Sequence, residues 1–187
     1  MNARILRGTD QVGGSLVELE HDGVRIVLDC GLPLEPVAHR DLLPDVPGLW
    51  SKGDGSLRGV FITHGHPDHY GLADLINPSV PIYMGKDAKN VIDAAAFFTG
   101  RDPGFTCDRF LQDGAPITAG PFRVTPFLVD HSGFDAYALL IEAGGNTVFY
   151  TGDIRFHGRK SSRMRSLATG LPSELDCLTT EGTSFDR

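Results

Sequence analysis

Cysteine is scarce and unpatterned. Cys30, Cys107 and Cys177 are odd in number, far apart and without a C-x-x-C spacing, which argues against a disulfide framework. The expected state is three thiols in a reducing compartment. No apolar run approaches a membrane span, and the N-terminus lacks the charged-then-apolar order of a secretory signal. The expectation is therefore a cytoplasmic protein with no membrane partner. Positive charge is the minority, with 17 basic against 24 acidic residues and a net charge of −7. The surface as a whole is not a magnet for nucleic acid, although a local basic patch can exist on it. There is no internal repeat and no low-complexity segment. What remains is 187 residues, 41% apolar and 22% charged, enough for one soluble domain with a real core.

The chain is organised around Val60-Phe61-Ile62-Thr63-His64-Gly65-His66-Pro67-Asp68-His69. Four apolar or β-branched residues read as a buried strand. Three histidines and an aspartate follow within six positions. In extended backbone, residues two apart face the same side, so His64 and His66 can grip one ion. Pro67 then turns the chain and aims Asp68 and His69 at a neighbouring volume. Imidazole nitrogen with carboxylate oxygen is the ligand chemistry of zinc and related divalent ions. Read instead as a polar turn, the same stretch gives packing no reason to gather three imidazoles.

On either side of that stretch the pattern is α/β, or α+β, with a mixed sheet. Leu16–Glu20 and Val24–Asp29 form a hairpin across His21-Asp22-Gly23. Residues 31–58 read as a long loop with a helical turn around His39–Leu43. Tyr70–Ile76 reads as a short helix, Val80–Met84 as a strand, and Asp87–Phe98 as a helix with Val91, Ala94, Ala95 and Phe98 on one face. Leu111–Pro116 and Phe122–Val129 read as strands. Ala136–Glu142 and Thr147–Tyr150 make a second hairpin, Met164–Thr169 a helix and Leu175–Thr180 a last strand. Five of these strands run into a polar or carboxylate residue: Asp29, His64, Asp130-His131, Asp153 and Glu181. If those ends share one sheet edge, ligands distant in sequence converge on a rigid rim, where α/β sheets place their sites.

Here the chain resembles a family. His64-x-His66-x-Asp68-His69, the later His131, and Asp153 within Thr151-Gly152-Asp153 resemble the metallo-β-lactamase superfamily over nearly the whole chain, with Asp29 at the family's first motif. Val129-Asp130-His131-Ser132 and Phe149–Arg155 are similar to the ribonuclease J and cleavage-factor branch, the β-CASP nucleases. Thr180-Glu181-Gly182-Thr183-Ser184 resembles the acidic motif that opens their inserted domain. The resemblance implies an αβ/βα sandwich, incomplete at its C-terminus, and a hydrolase using two zinc ions; the donor set accepts manganese or iron as well. His64, His66 and His131 would hold the first ion. Asp68 and His69 would hold the second, and Asp153 would bridge. Asp68 would also orient the attacking water, which two ions make reactive near neutral pH. Asp29 and Glu181 would stand behind the ligands, Asp29 orienting an imidazole.

The family supplies a further late histidine to its second metal, and this chain has none after His157. The resemblance implies that residues 1–187 are the first part of a metallo-β-lactamase-like domain, continuing past Glu181. A half-finished sheet is expected to self-associate or to need a completing C-terminal segment. Arg155, Arg159, Lys160, Arg163 and Arg165 form a basic run beside Asp153; Arg159 and Lys160, with Ser132, are candidates for substrate contact. His157 and Tyr70 are expected near the site without ligating, and His21 and His39 at the surface. Trp50 is expected as a loop anchor, and Phe97, Phe98 and Phe105 as core. Phosphodiester hydrolysis of RNA or DNA is the reaction the resemblance favours. A thioesterase or lactonase uses the same ligands, and a metal-binding half-domain that needs a partner is the reading outside enzymology.

Overall fold

A computed structural model describes residues 1–35 and 42–182. Two sheets pack face to face. The first has six strands in chain order: β1 (Asn2–Arg7), β2 (Leu16–His21), β3 (Val24–Leu28), β4 (Leu57–Phe61), β5 (Ile82–Gly85) and β6 (Arg109–Leu111). The second runs β11 (Cys177–Thr179), β10 (Asn146–Tyr150), β9 (Tyr137–Ala143), β8 (Phe122–Leu128) and β7 (Ile117–Ala119). Between the sheets lie Leu19, Ile26, Leu28, Phe61, Phe122, Leu139 and Ile141, all fully buried. The outer face of the first sheet is covered by α1 (Pro67–Tyr70), a 3-10 turn at Ala73–Leu75, and α2 (Lys86–Thr99). α3 (Ser161–Gly170) seals the second sheet through Met164 against Phe149, Ala138 and Leu140. This is the αβ/βα sandwich. Because the central strands are covered on both faces, they read as nearly unbroken apolar runs.

Strand direction decides where the site falls. β3 and β4 run parallel, and so do β10 and β11. Asp29, His64, Asp153 and Glu181 each follow the C-terminal end of one of these strands. The chain after β8 brings Asp130 and His131 to the same rim, where Tyr137 N–H donates to Thr63 O at 2.9 Å.

Several expectations change. β1 was not legible: its residues alternate weakly and most are exposed, as an edge strand allows. It is pinned to β2 at Arg4, which pairs with buried Glu18. β4 starts at Leu57, inside the stretch read as loop. Leu111–Pro116 is not one strand. Its first residue ends β6 in one sheet, a turn closes through Ala115 N–H to Gln112 O, and β7 opens in the other sheet. The helix read at Tyr70–Ile76 begins earlier, because Pro67 occupies the first helical turn, where its missing N–H costs nothing. The helical turn expected around His39–Leu43 lies largely outside the described residues.

α2 is rotated relative to its expected face. Ala88, Lys89 and Ile92 point inward, whereas Val91, Phe97 and Phe98 are 55%, 82% and 84% exposed. Phe105 is buried as core; Phe97 and Phe98 are not. Lys89 explains the rotation. Its aliphatic stem covers core surface while Nζ lies 5.0 Å over the Phe105 ring and pairs with Asp93. Replacing both Phe97 and Phe98 by Ser is expected to move the urea midpoint by less than about 0.5 kcal/mol equivalent. Phe61→Ala is expected to cost about 3–5 kcal/mol in the same melts.

Candidate metal centre

The rim is assembled around Asp29, a fully buried carboxylate at φ +56° directly after β3. It accepts Thr63 N–H at 2.7 Å, Thr63 Oγ1–H at 3.0 Å, Tyr150 O–H at 2.7 Å and His69 Nδ1–H at 2.8 Å. Thr63 Oγ1 in turn lies 3.0 Å from His64 Nδ1. With both Nδ1 positions bonded this way, His64 and His69 each present Nε2 toward the rim. Gly31 allows the close packing that seats α1 here. A Cβ at that position would fall 1.7 Å from Asp68 O.

Two groups of donors result. His66 Nδ1 lies 3.1 Å from His64 Nε2 and 3.0 Å from His131 Nε2. His69 Nε2 lies 3.1 Å from Asp153 Oδ1, and the other Asp153 oxygen is 3.9 Å from His131 Nε2. His64, His66 and His131 form one set within 4.8 Å, and His64, His69 and Asp153 a second. The two sets share His64, and Asp153 of the second also approaches His131 of the first. Asp68 belongs to neither set, its Oδ2 being 3.9 Å from His69 Nε2. Among the described residues no other His, Cys, Asp or Glu joins either set at that spacing.

The donors fit a divalent cation. His66 Nδ1 faces two ring nitrogens, and one proton cannot satisfy both contacts. Zinc–imidazole bonds of about 2.0–2.1 Å place tetrahedral donors roughly 3.3 Å apart, close to what is seen. Burial, reinforced by the other three histidines, holds His64 far below the usual imidazole range, so its ring is neutral. Burial and the neighbouring His66, His69 and Arg155 outweigh Asp153 at His131 and lower it to about 4. His69 goes the other way. Burial alone would lower it, but Asp29 and Asp153 outweigh that and raise it to about 10. In the absence of a cation, a proton on His69 Nε2 occupies the place a cation would take.

Glu181 fixes the backbone beside Asp153, its Oε1 accepting Ile154 N–H at 2.7 Å. Ser132 Oγ lies 3.5 Å from His131 Nε2. The basic run is divided. Arg155 is bound to Asp130 and Arg163 to Asp113, whereas Arg159 is exposed and Lys160 Nζ lies 5.8 Å over the Phe134 ring. His157 is exposed, and His21 is half-buried beside Asp22. Trp50 anchors its loop through Nε1–H to Pro44 O at 2.8 Å, and Tyr70 packs on Phe105. His39, Thr183 and Ser184 lie outside the described residues. Thr63 and Tyr150 were missed as site residues. Within apolar strands nothing marks a hydroxyl that will meet a carboxylate. A cleft of about 960 Å³ opens beside Asp68, His69, Asp153 and Glu181.

The family described as beta-lactamase superfamily domain matches residues 24–184. The chain belongs to the metallo-β-lactamase superfamily. Within it, the chain is 29% identical over 157 residues to ribonuclease J of Mycobacterium tuberculosis (strain ATCC 25618 / H37Rv), covering 81% of this chain and 27% of that protein. It is 34% identical over 133 residues to ribonuclease J of Sinorhizobium meliloti, covering 68% and 23%. The chain thus spans about a quarter of the length of these curated relatives. In fold it is similar to a protein of unknown function from Enterococcus faecalis V583, with TM-score 0.87 and 23% identity over 99% of this chain and 50% of that one. The family relation bears out the superfamily and ribonuclease J resemblance, as well as the sandwich fold. No helix among the described residues is long and apolar enough to cross a membrane.

The Asp29–His69 contact has a measurable consequence. Because the folded pKa of His69 is raised from 6.5, its charge stabilises the metal-free chain below about pH 6.5, and that contribution is lost as pH rises through about 10. Nitrogen-15 NMR of the chelated chain is expected to show one imidazole titrating near 10, with Asp29→Asn moving it down. A midpoint near 6.5 in the unchanged chain would contradict the pairing.

Proposed function

We propose that this chain carries the metal centre of a hydrolase that cleaves phosphodiester bonds of RNA or DNA, with residues 1–187 acting as one metallo-β-lactamase-like unit. The observation that carries the reading is the pair of donor sets that meet at His64, in a chain whose relatives are ribonucleases J. His64, His66 and His131 would hold one divalent ion. His69 and Asp153 would hold a second, with Asp68 beside them as a further candidate ligand. Zinc suits these nitrogens and oxygens, and manganese or iron can replace it. Ions held there supply a Lewis acid, neutralise charge on the attacked phosphorus, and lower the pKa of a bound water.

The chain's own residues do the rest. Asp29, fixed by Thr63 and Tyr150, orients His69 and keeps its Nδ1 protonated, which raises the basicity of Nε2. Tyr150 stays protonated because burial and the adjacent Asp29 push its pKa well up, so it remains a donor to that carboxylate. Asp68 stands on the cleft wall, where its carboxylate could accept a proton from a water bound there. Glu181 holds the backbone that carries Asp153. Arg159 and Lys160 meet the backbone phosphates, and Ser132 lies within reach of the scissile group.

The test is hydrolysis of a single-stranded RNA oligonucleotide by the zinc- or manganese-loaded chain, with a small thioester and a lactone as controls. Chelation is expected to abolish cleavage, and Asp68→Asn to slow it about 10²–10⁴-fold. Asp29→Asn is expected to weaken zinc binding about 10–100-fold. Turnover of the thioester or lactone, with RNA left intact, would replace this reading by the small-molecule one.

A further inference from the structure

The loop after His131 is held more firmly than an exposed turn requires. Val129 N–H donates to Ala136 O at 2.9 Å, and Tyr137 N–H to Thr63 O at 2.9 Å. Asp135, at φ +57°, turns its carboxylate onto the start of α2 and accepts Asp87 N–H at 2.9 Å and Ala88 N–H at 3.3 Å. A non-glycine residue in that region is strained, and such strain persists where the surroundings over-determine it. Gly133 presses this loop against the metal-site rings. A Cβ there would lie 3.1 Å from the His64 ring, 3.2 Å from His131 and 3.5 Å from His66.

The next residue is Phe134, and it is 63% exposed. A loop packed on three candidate ligands thus presents a bare aromatic ring one residue beyond that contact. Lys160 Nζ stands 5.8 Å over that ring. Phe156, 49% exposed, precedes His157 and Arg159 on the segment that delivers Lys160. The exposed rings of α2 differ. Phe97 and Phe98 sit at the opposite end of that helix from Asp135 and meet edge to face, with ring centroids 5.4 Å apart. Arg155 and Arg163 are engaged with Asp130 and Asp113, whereas Lys160 is the cation that stands at this loop.

An exposed ring beside a cation matches the pieces of a single-stranded nucleic acid: a flat base and a phosphate. Stacking on an aromatic side chain tolerates any base, because every base has a π-face, but the base must be unstacked from its neighbours first. On a chain of net charge −7, a local cation such as Lys160 is what lets a polyanion approach. We propose that Phe134 is a base-stacking subsite for single-stranded nucleic acid, the base lying on the ring face away from Lys160, with Lys160 Nζ meeting an adjoining phosphate. This rests on the phosphodiester reading and narrows its substrate to unpaired strands.

Binding can be separated from cleavage by working with the chelated chain of residues 1–187. A fluorescein-labelled ten-nucleotide single-stranded RNA serves as probe, with the same sequence as a duplex for comparison. Phe134→Ala is expected to weaken single-strand binding about 5–150-fold, the equivalent of one lost stacked base. Phe134→Tyr is expected to restore it, and thermal midpoints should be unchanged because the ring is exposed. Phe134→Trp adds a reporter whose emission should be quenched by the single strand and not by the duplex. Lys160→Ala should lower the salt slope of log K by about 0.7. Equal binding by the unchanged chain and Phe134→Ala overturns the subsite. So does equal binding of duplex and single strand, or no binding of the unchanged chain at millimolar probe. If stacking is seen but the metal-loaded chain cleaves no nucleic acid, the subsite stands and the hydrolase reading falls. If RNA is cleaved while Phe134→Ala changes neither binding nor rate, the hydrolase reading stands and the subsite falls.

Discussion

A single buried carboxylate ties the two sheets to the site. A carboxyl group buried as completely as Asp29 needs hydrogen-bond partners, since a polar group left unpaired in the core costs more than one hydrogen bond returns. Its partners come from the end of β4, from α1 and from β10 of the opposite sheet. Satisfying it therefore requires both sheets to be in register at the rim. The same contacts choose the His69 tautomer and, through Thr63, that of His64. Folding and ligand orientation are thus one constraint, which is why the left-handed backbone at Asp29 is tolerated.

The electrostatics of the rim divide along the same line. His64 and His131 are held neutral and offer lone pairs, whereas His69 is held protonated between two carboxylates. The first set is ready for a cation as it stands. The second must exchange a proton for one. Arg155, held by Asp130, lies close enough to His131 to help keep that ring neutral. The surplus of acid over the whole chain favours cations and repels polyanions, so any nucleic acid has to be met by bound ions and by the few local bases.

Much of this was legible in the sequence because chemistry there has a fixed spacing. The cluster His64–His69 declared itself, and apolar strands ending in Asp29, Asp153 and Glu181 pointed to a shared rim. What was not legible depended on partners distant along the chain. The edge strand Asn2–Arg7 has no core face to give it a period. The inward face of α2 was misread because Lys89 buries its stem while its charge is met by Asp93, so the apolar stripe through Val91 and Phe98 was the wrong one. Thr63 and Tyr150 look like ordinary strand residues until Asp29 is placed between them. Phe134 carries no signal either, since a phenylalanine's exposure is a property of the fold.

The claim beneath the whole account is that strand ends far apart in sequence converge to hold divalent cations. The most direct measurement is an anomalous difference map from zinc-soaked crystals, collected on both sides of the zinc absorption edge. The account predicts one peak among His64, His66 and His131 and a second beside His69 and Asp153. A map with no peak at this rim, or zinc bound only at surface carboxylates elsewhere, would contradict it.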